Sequence, residues 1–166
     1  MRLLRLRKKK QLDGVDFEIL SLLWKDPELT YMDIAEKINT SPVTVYNRIK
    51  KLKEEGVFKK VIIIPSEIFG KQITAFVQIS TIPGQEKNIG EIIAKNPEVL
   101  NVISVTGDFD LLVKVVANDI NELNQIIMEK IRGLEGVIRT NTILVLSMIK
   151  EEFSYIPKGY LQAQKF

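Results

Sequence analysis

An α+β chain in two parts is what the sequence predicts, with three short helices in front and a βαββαβ arrangement behind. Apolar residues recur at helical spacing from Leu12 to Leu52, then give way after Pro65 to strand-like runs rich in Ile and Val. Charge divides at the same proline. Residues 1–64 hold 14 Lys+Arg and 9 Asp+Glu, a net of +5, whereas residues 65–166 hold 10 and 12, a net of −2. A basic front suits a polyanionic partner, and it equally suits an ordinary protein with a basic tail; charge alone does not choose.

Length and composition narrow the classes. The 166 residues have room for one domain or for two small ones, and an apolar share of 45% with 27% charged residues is that of a folded globular protein. There is no apolar run of about 18 residues, and the basic opening Met1–Lys10 leads into no signal-peptide core, so the expectation is a cytoplasmic protein with no membrane partner. With no Cys and no His, disulfides, thiolate chemistry, cysteine metal sites and the commonest general base are all missing. Neither an enzyme nor a cofactor-dependent protein is expected.

The front half reads as helices in order. Leu12, Val15, Ile19, Leu20, Leu22 and Leu23 share a helical spacing, with Asp13 and Asp16 suited to a first turn and Asp26-Pro27 to an end. A second helix opens at Thr30, an N-cap with Asp33 three residues on, presents Met32, Ile34, Ala35 and Ile38, and stops at Asn39-Thr40. Ser41-Pro42 starts the third, since Ser caps free NH groups and Pro fits the first helical position; it runs to Glu55, with Gly56 closing it. Projected at 100° per residue, Val45, Ile49 and Leu52 fall on one side of this helix, and Val43, Asn47, Lys50, Lys51 and Glu54 fall opposite. Val57–Ile64 then reads as a wing-like strand and hinge.

Behind Pro65 the predicted elements are a strand Gln72–Thr81, a helix Gln85–Lys95, strands Val99–Thr106 and Asp110–Ala117 around Gly107-Asp108-Phe109, a helix Asp119–Arg132, and a long strand Val137–Ile149. The order βαββαβ makes a four-stranded antiparallel sheet with both helices on one face, the ferredoxin-like arrangement. In the final strand both faces carry apolar residues, Ile143 and Val145 on one and Leu144, Leu146 and Met148 on the other. Helices cover only one face of such a sheet, so a second subunit is expected on the other.

Two helices, a turn of about four residues and a third helix with a polar, basic free face match a helix-turn-helix, in which the last helix enters the DNA major groove. A plain structural trihelix is the competing reading. Ala35 favours the first, because a small residue in the second helix lets the third pack closely across it. Thr44, Tyr46 and Asn47 are candidates for base edges, Asn47 because its amide pairs bidentately with adenine; Arg48, Lys50, Lys51 and Lys53 are candidates for phosphates. Ser41 and Val43, at the start of the same helix, complete the candidate DNA-binding set.

Leu12-Asp13-Gly14-Val15-Asp16-Phe17-Glu18-Ile19-Leu20 resembles the LDxxDxxIL opening of the Lrp/AsnC, or feast/famine, regulators. Asp33-Ile34-Ala35, then Ser41 to Leu52 and Glu55-Gly56-Val57, look like the rest of that family's DNA-binding domain. The resemblance spans Leu12–Glu151 and implies a winged helix-turn-helix at residues 12–64 and a βαββαβ effector-binding and dimerisation domain at residues 65–151. It also implies homodimers assembling into tetramers or octamers, with double-stranded DNA and an amino-acid-like effector as partners. Val105-Thr106-Gly107-Asp108-Phe109-Asp110 resembles the family's effector-binding turn, and further contacts are implied at Arg139-Thr140-Asn141-Thr142. Gly107, Asp108, Phe109, Asp110, Thr140 and Thr142 are therefore the candidate effector residues, an α-amino acid needing a carboxylate for its ammonium and NH groups for its own carboxylate. A plain hairpin turn at Gly107-Asp108 is the alternative.

The chain departs from the family at both ends: a basic extension, residues 1–11, and a C-terminal extension, residues 152–166. The first either lies along phosphates or is a solvated tail; the second is an arm onto a neighbour or disordered. Two other functions compete with that of a sequence-specific regulator. One is an architectural protein that compacts DNA. The other is a siroheme decarboxylase of similar two-domain build, which the absence of histidine disfavours.

Overall fold

The computed structural model describes residues 12–152, so the N-terminal extension, residues 1–11, and the C-terminal extension beyond Glu152 lie outside the described residues. It divides into two compact units, the three-helix unit and a sheet unit running Ile63–Glu151.

In the helical unit α1 spans Gly14–Lys25, α2 Tyr31–Lys37 and α3 Pro42–Glu54. Each start is fixed by its own side chains. Asp13 and Asp16 form a reciprocal capping box on α1, and Thr30 and Asp33 form another on α2. Ser41 Oγ accepts the Thr44 N–H at 3.1 Å, with Pro42 in the first turn of α3. The turn between α2 and α3 contains Asn39 at φ 51°, a left-handed conformation that Asn tolerates better than most residues. Ile19, Ile34, Ala35, Val45 and Ile49 are buried together, with Val15, Leu29, Ile38 and Phe58 packed around them. Burying an isoleucine or valine side chain contributes about 1.5–3 kcal/mol, so the apolar stripe of α3 fixes which of its faces stays outside.

The sheet unit is four-stranded and wholly antiparallel, in the order β2-β3-β1-β4: β1 Ile73–Thr81, β2 Val99–Ser104, β3 Leu111–Ala117, β4 Val137–Leu144. Helices α4 (Glu86–Ile93) and α5 (Ile120–Gln125, continued by a π-helical stretch Ile126–Arg132) supply the rest of the core. Ala75, Val77 and Ile79 of β1 and Leu111, Val113 and Val115 of β3 point into it, against Ile89, Ile93, Leu123, Ile127 and Ile131. Gly90 of α4 has no room to spare: a Cβ there would sit 3.3 Å from Val102 Cγ1. The alternate face of the sheet includes Phe76, Gln78, Leu112, Ile103 and Ile143 by strand register, and Ile103 and Ile143 stay 48% and 43% exposed.

Three expected elements come out differently. Residues 57–64 form no strand, because a strand requires a partner ladder and none lies beside them; Val61, Ile62, Ile63 and Ile64 are exposed. The last strand ends at Leu144 instead of Ile149. Leu144 already pairs with Ala75 near the start of β1, and after Val145 N–H bonds Thr74 O at 2.9 Å little of β1 remains to pair with. The second helix of the sheet unit is α-helical only to Gln125.

Candidate functional site

The outer face of α3 is built by subtraction. Val45, Ile49 and Leu52 are taken into the core, leaving Val43, Asn47, Lys50, Lys51 and Glu54 exposed as the helical projection predicts. Val43, at the start of that face, is 68% exposed. The side chains of Asn47, Lys50 and Lys51 make no hydrogen bond or ion pair among the described residues. Their polar groups are unspent.

The other candidates on α3 are already engaged. The Ser41 and Thr44 hydroxyls bond each other at 2.8 Å within the cap, and with Pro42 lacking an N–H and the Thr44 N–H taken by Ser41, only the Val43 N–H of the first turn stays open. Tyr46 sets its ring edge-on to Tyr31 of α2, centroids 5.6 Å apart, and remains 45% exposed. Arg48, expected at the phosphates, has a different partner in the fold. Its Nη1 donates to Asp13 Oδ2 at 2.6 Å and to Asp16 Oδ1 at 2.9 Å, both at the start of α1. The guanidinium beside Asp13, with the Asp16 N–H, holds that carboxyl below the usual aspartate range, and the two carboxylates raise the Arg48 pKa further. Sequence reasoning missed this cluster, although Asp13 and Asp16 carried a legible signal as first-turn acids; their partner lies 32–35 residues away. Lys53 lies 6.0 Å from the Phe58 ring.

In the sheet unit the turn between β2 and β3 is ordered by its own backbone. Val105 N–H bonds Asp110 O and Asp110 N–H bonds Ile79 O, both at 3.0 Å, while Gly107 takes φ +121°, a conformation few other residues adopt. The two acids differ. Asp110 Oδ2 accepts the Thr81 N–H at 2.7 Å and its hydroxyl at 3.2 Å, so it ties β3 to β1. The exposed Asp108 carboxylate has no partner among the described residues, while its carbonyl accepts the Ser80 hydroxyl at 3.4 Å. Phe109 lies under Arg139 of β4, guanidinium to ring centroid 5.1 Å, within cation–π range. Thr140 is buried and accepts from Arg132 Nε at 2.7 Å; Thr142, two residues on, is exposed. Thus Asp108, Phe109 and Arg139 meet at one end of β1, whereas Thr140 is spent on a contact with the end of the π-helical stretch. Arg132 was not among the expected residues, since π-helical geometry leaves no mark in hydrophobic spacing.

Comparison with known proteins accounts for both units. A family model of winged helix-turn-helix DNA-binding domains matches residues 12–59, and a model of the Lrp/AsnC ligand binding domain matches residues 74–155. An uncharacterised HTH-type transcriptional regulator of Pyrococcus abyssi is 35% identical over 147 residues, which is 88% of this chain and 99% of that protein. The HTH-type transcriptional regulator FL11 of Pyrococcus furiosus is 33% identical over 141 residues, 84% of this chain and 93% of its own length. Among solved structures, a Neisseria meningitidis transcriptional regulator in complex with L-Met superposes with a TM-score of 0.82 at 25% identity, covering 91% of this chain and 99% of that one. Escherichia coli AsnC shares the fold at a TM-score of 0.82 and 22% identity, over 87% of this chain and 99% of its own. The helical unit is thus a DNA-binding domain and the sheet unit a ligand-binding domain, and the chain belongs to the Lrp/AsnC family of HTH-type transcriptional regulators, which are not enzymes.

Proposed function

We propose that this regulator binds specific DNA sequences through α3 and that an amino-acid-like effector in the sheet unit sets when it does so. The observation that carries the reading is the outer face of α3, where Val43, Asn47, Lys50 and Lys51 stand exposed with unspent polar groups while the opposite stripe is packed. Asn47 pairs with adenine, Val43 meets a thymine methyl, and Tyr46 and Thr44 reach neighbouring bases. Lys50, Lys51 and the open Val43 N–H at the start of α3 hold phosphates.

The effector reading rests on opposite charges at one strand end. Asp108 receives the ammonium, Arg139 over Phe109 receives the carboxylate, and Gly107, Asp110 and the Thr140–Thr142 strand shape the walls. The methionine bound by the Neisseria relative supports an amino acid as the ligand class. A half-exposed apolar stripe on the open sheet face supports dimers through that face, the step from which tetramers or octamers grow. Effector binding then acts by linkage, favouring the assembly whose α3 spacing fits two half-sites together.

Selection of bound fragments from random DNA, with and without pooled amino acids, tests the reading as a whole. A recovered motif with half-sites about one helical turn apart, changed in yield by one amino acid, is the expected result. Recovery of unrelated sequences and uniform protection in footprints would instead make the protein an architectural binder.

A further inference from the structure

Arg48 sits on the DNA-reading helix and yet is turned to the protein. One nitrogen, Nη1, donates to two carboxylates at the same time, Asp13 Oδ2 at 2.6 Å and Asp16 Oδ1 at 2.9 Å. The acids occupy defined places: Asp13 is the N-cap of α1 and Asp16 its third residue, each bonded to the other's backbone N–H in the capping box. Neither acid is free to swing away without loosening that box. Asp16 and the Arg48 side chain are 16% and 31% exposed, so the cluster is partly shielded from water, with Asp13 at its rim. A phosphate arriving here would meet two negative charges and one positive charge already satisfied. Lys50 and Lys51, two and three residues further along α3, have no such competition among the described residues.

We propose that Arg48 is a positioning residue and not a DNA ligand: it bolts the middle of α3 to the capped start of α1, and so sets the angle at which Val43, Asn47 and Lys50 are presented. The proposal deepens the DNA-binding reading above and rests on it for its functional meaning. Its geometric half stands on the free protein alone.

The two roles give opposite signs on the same variants. Asn caps a helix about as well as Asp, so Asp13→Asn and Asp16→Asn remove charge while leaving α1 begun. If Arg48 positions α3, then Arg48→Gln, Asp13→Asn and Asp16→Asn each weaken binding to the selected DNA fragment, by roughly 1.5- to fivefold for an ion pair of this exposure. Combining Arg48→Gln with Asp16→Asn then loses no more than the worse single change, because both break one bolt. The slope of log K against log salt stays at the wild-type value, whereas Lys50→Gln lowers it by about one per subunit.

If Arg48 is a phosphate ligand, removing the acids frees a cation and tightens binding, and Arg48→Gln lowers the salt slope; either result overturns the proposal. Amide hydrogen exchange in the free full-length protein supplies the independent arm. Arg48→Gln and Asp16→Asn should speed exchange along α3 alike, more than Lys50→Gln does, and unchanged rates overturn the bolt. A wild-type protein that retains no DNA fragment would refute the DNA-binding reading, while the exchange rates still decide whether the bolt exists.

Discussion

Tyr46 meets the ring of Tyr31 edge to face, so a residue of α3 is held by a residue of the helix before it. Edge-to-face pairs contribute about 0.5–1.5 kcal/mol beyond area burial, and this one is half exposed, which puts it at the low end. Tyr31→Ala should lower unfolding stability by about 0.5–1 kcal/mol and weaken DNA binding without any DNA contact of its own, whereas Tyr46→Phe should keep the stability. Denaturant titration with a double-mutant cycle measures the coupling; additive losses would show that the rings do not cooperate.

Exposed Val43 predicts a dependence on a single methyl group. Replacing thymine by deoxyuridine at the contacted position of the selected site should weaken wild-type binding by about five- to tenfold, and Val43→Ala should bind both fragments alike. Equal wild-type affinity for the two fragments would remove Val43 from base reading. Asn47→Ala should, by the same logic, cost more on the selected site than on random DNA.

Acid should destabilise the protein through its caps. Asp13, Asp33 and Glu122 all have carboxyl pKa values below the ordinary range, from the Arg48, Thr30 hydroxyl and Asn118 N–H hydrogen bonds respectively. A depressed folded-state pKa means that the unfolded chain takes up protons first as pH falls. Their stabilisation is therefore complete above about pH 5 and is lost progressively as pH drops below about 4, through the lower folded values. Urea midpoints from pH 7 to pH 3 should show this fall. Asp33→Asn, whose side chain cannot titrate, should fall less steeply, and a parallel fall would locate the acid response elsewhere.

Gly136 leads into β4 at φ +91°, where a Cβ would overlap Gln85 Oε1 and come within 3.1 Å of Ile89 Cδ1. Gly136→Ala should cost about 1–3 kcal/mol, and pairing it with Gln85→Ala should recover only the overlap and leave the backbone strain of about 1 kcal/mol. Thermal unfolding of the two variants separates the parts; full recovery would mean that the backbone there carries no strain.

The two aspartates of the β2–β3 turn should part company. Asp108→Asn should abolish the response to an amino-acid effector with little change in melting temperature, since its carboxylate has no partner among the described residues. Asp110→Ala should lower the melting temperature by several degrees, because the Thr81 N–H then loses its acceptor in a part-buried place. Calorimetric titration beside melting curves checks both. A destabilised Asp108→Asn variant would return the turn to a purely structural role.

Local rules made most of this legible. Ser41-Pro42 and Thr30 with Asp33 marked the helix starts because capping acts within three residues. The side of α3 that stays outside followed from Val45, Ile49 and Leu52. What spacing could not carry is pairing over distance. Val57–Ile64 has strand composition but no ladder, and Arg48 gave no sign of its contacts with acids 32 and 35 residues earlier. Of the two turn aspartates, only the fold reveals which is spent.

The π-helical stretch Ile126–Arg132 sets the register of all that follows it. A wider turn houses one residue more than an α-helix of the same rise. Taking one residue back out would let ordinary i to i+4 bonds close again and swing everything beyond the cut by about 100°. Arg132 would then leave Thr140, and the approach to β4 would start from another side of the helix. A variant shortened by one residue here would therefore leave the buried Thr140 hydroxyl without its donor.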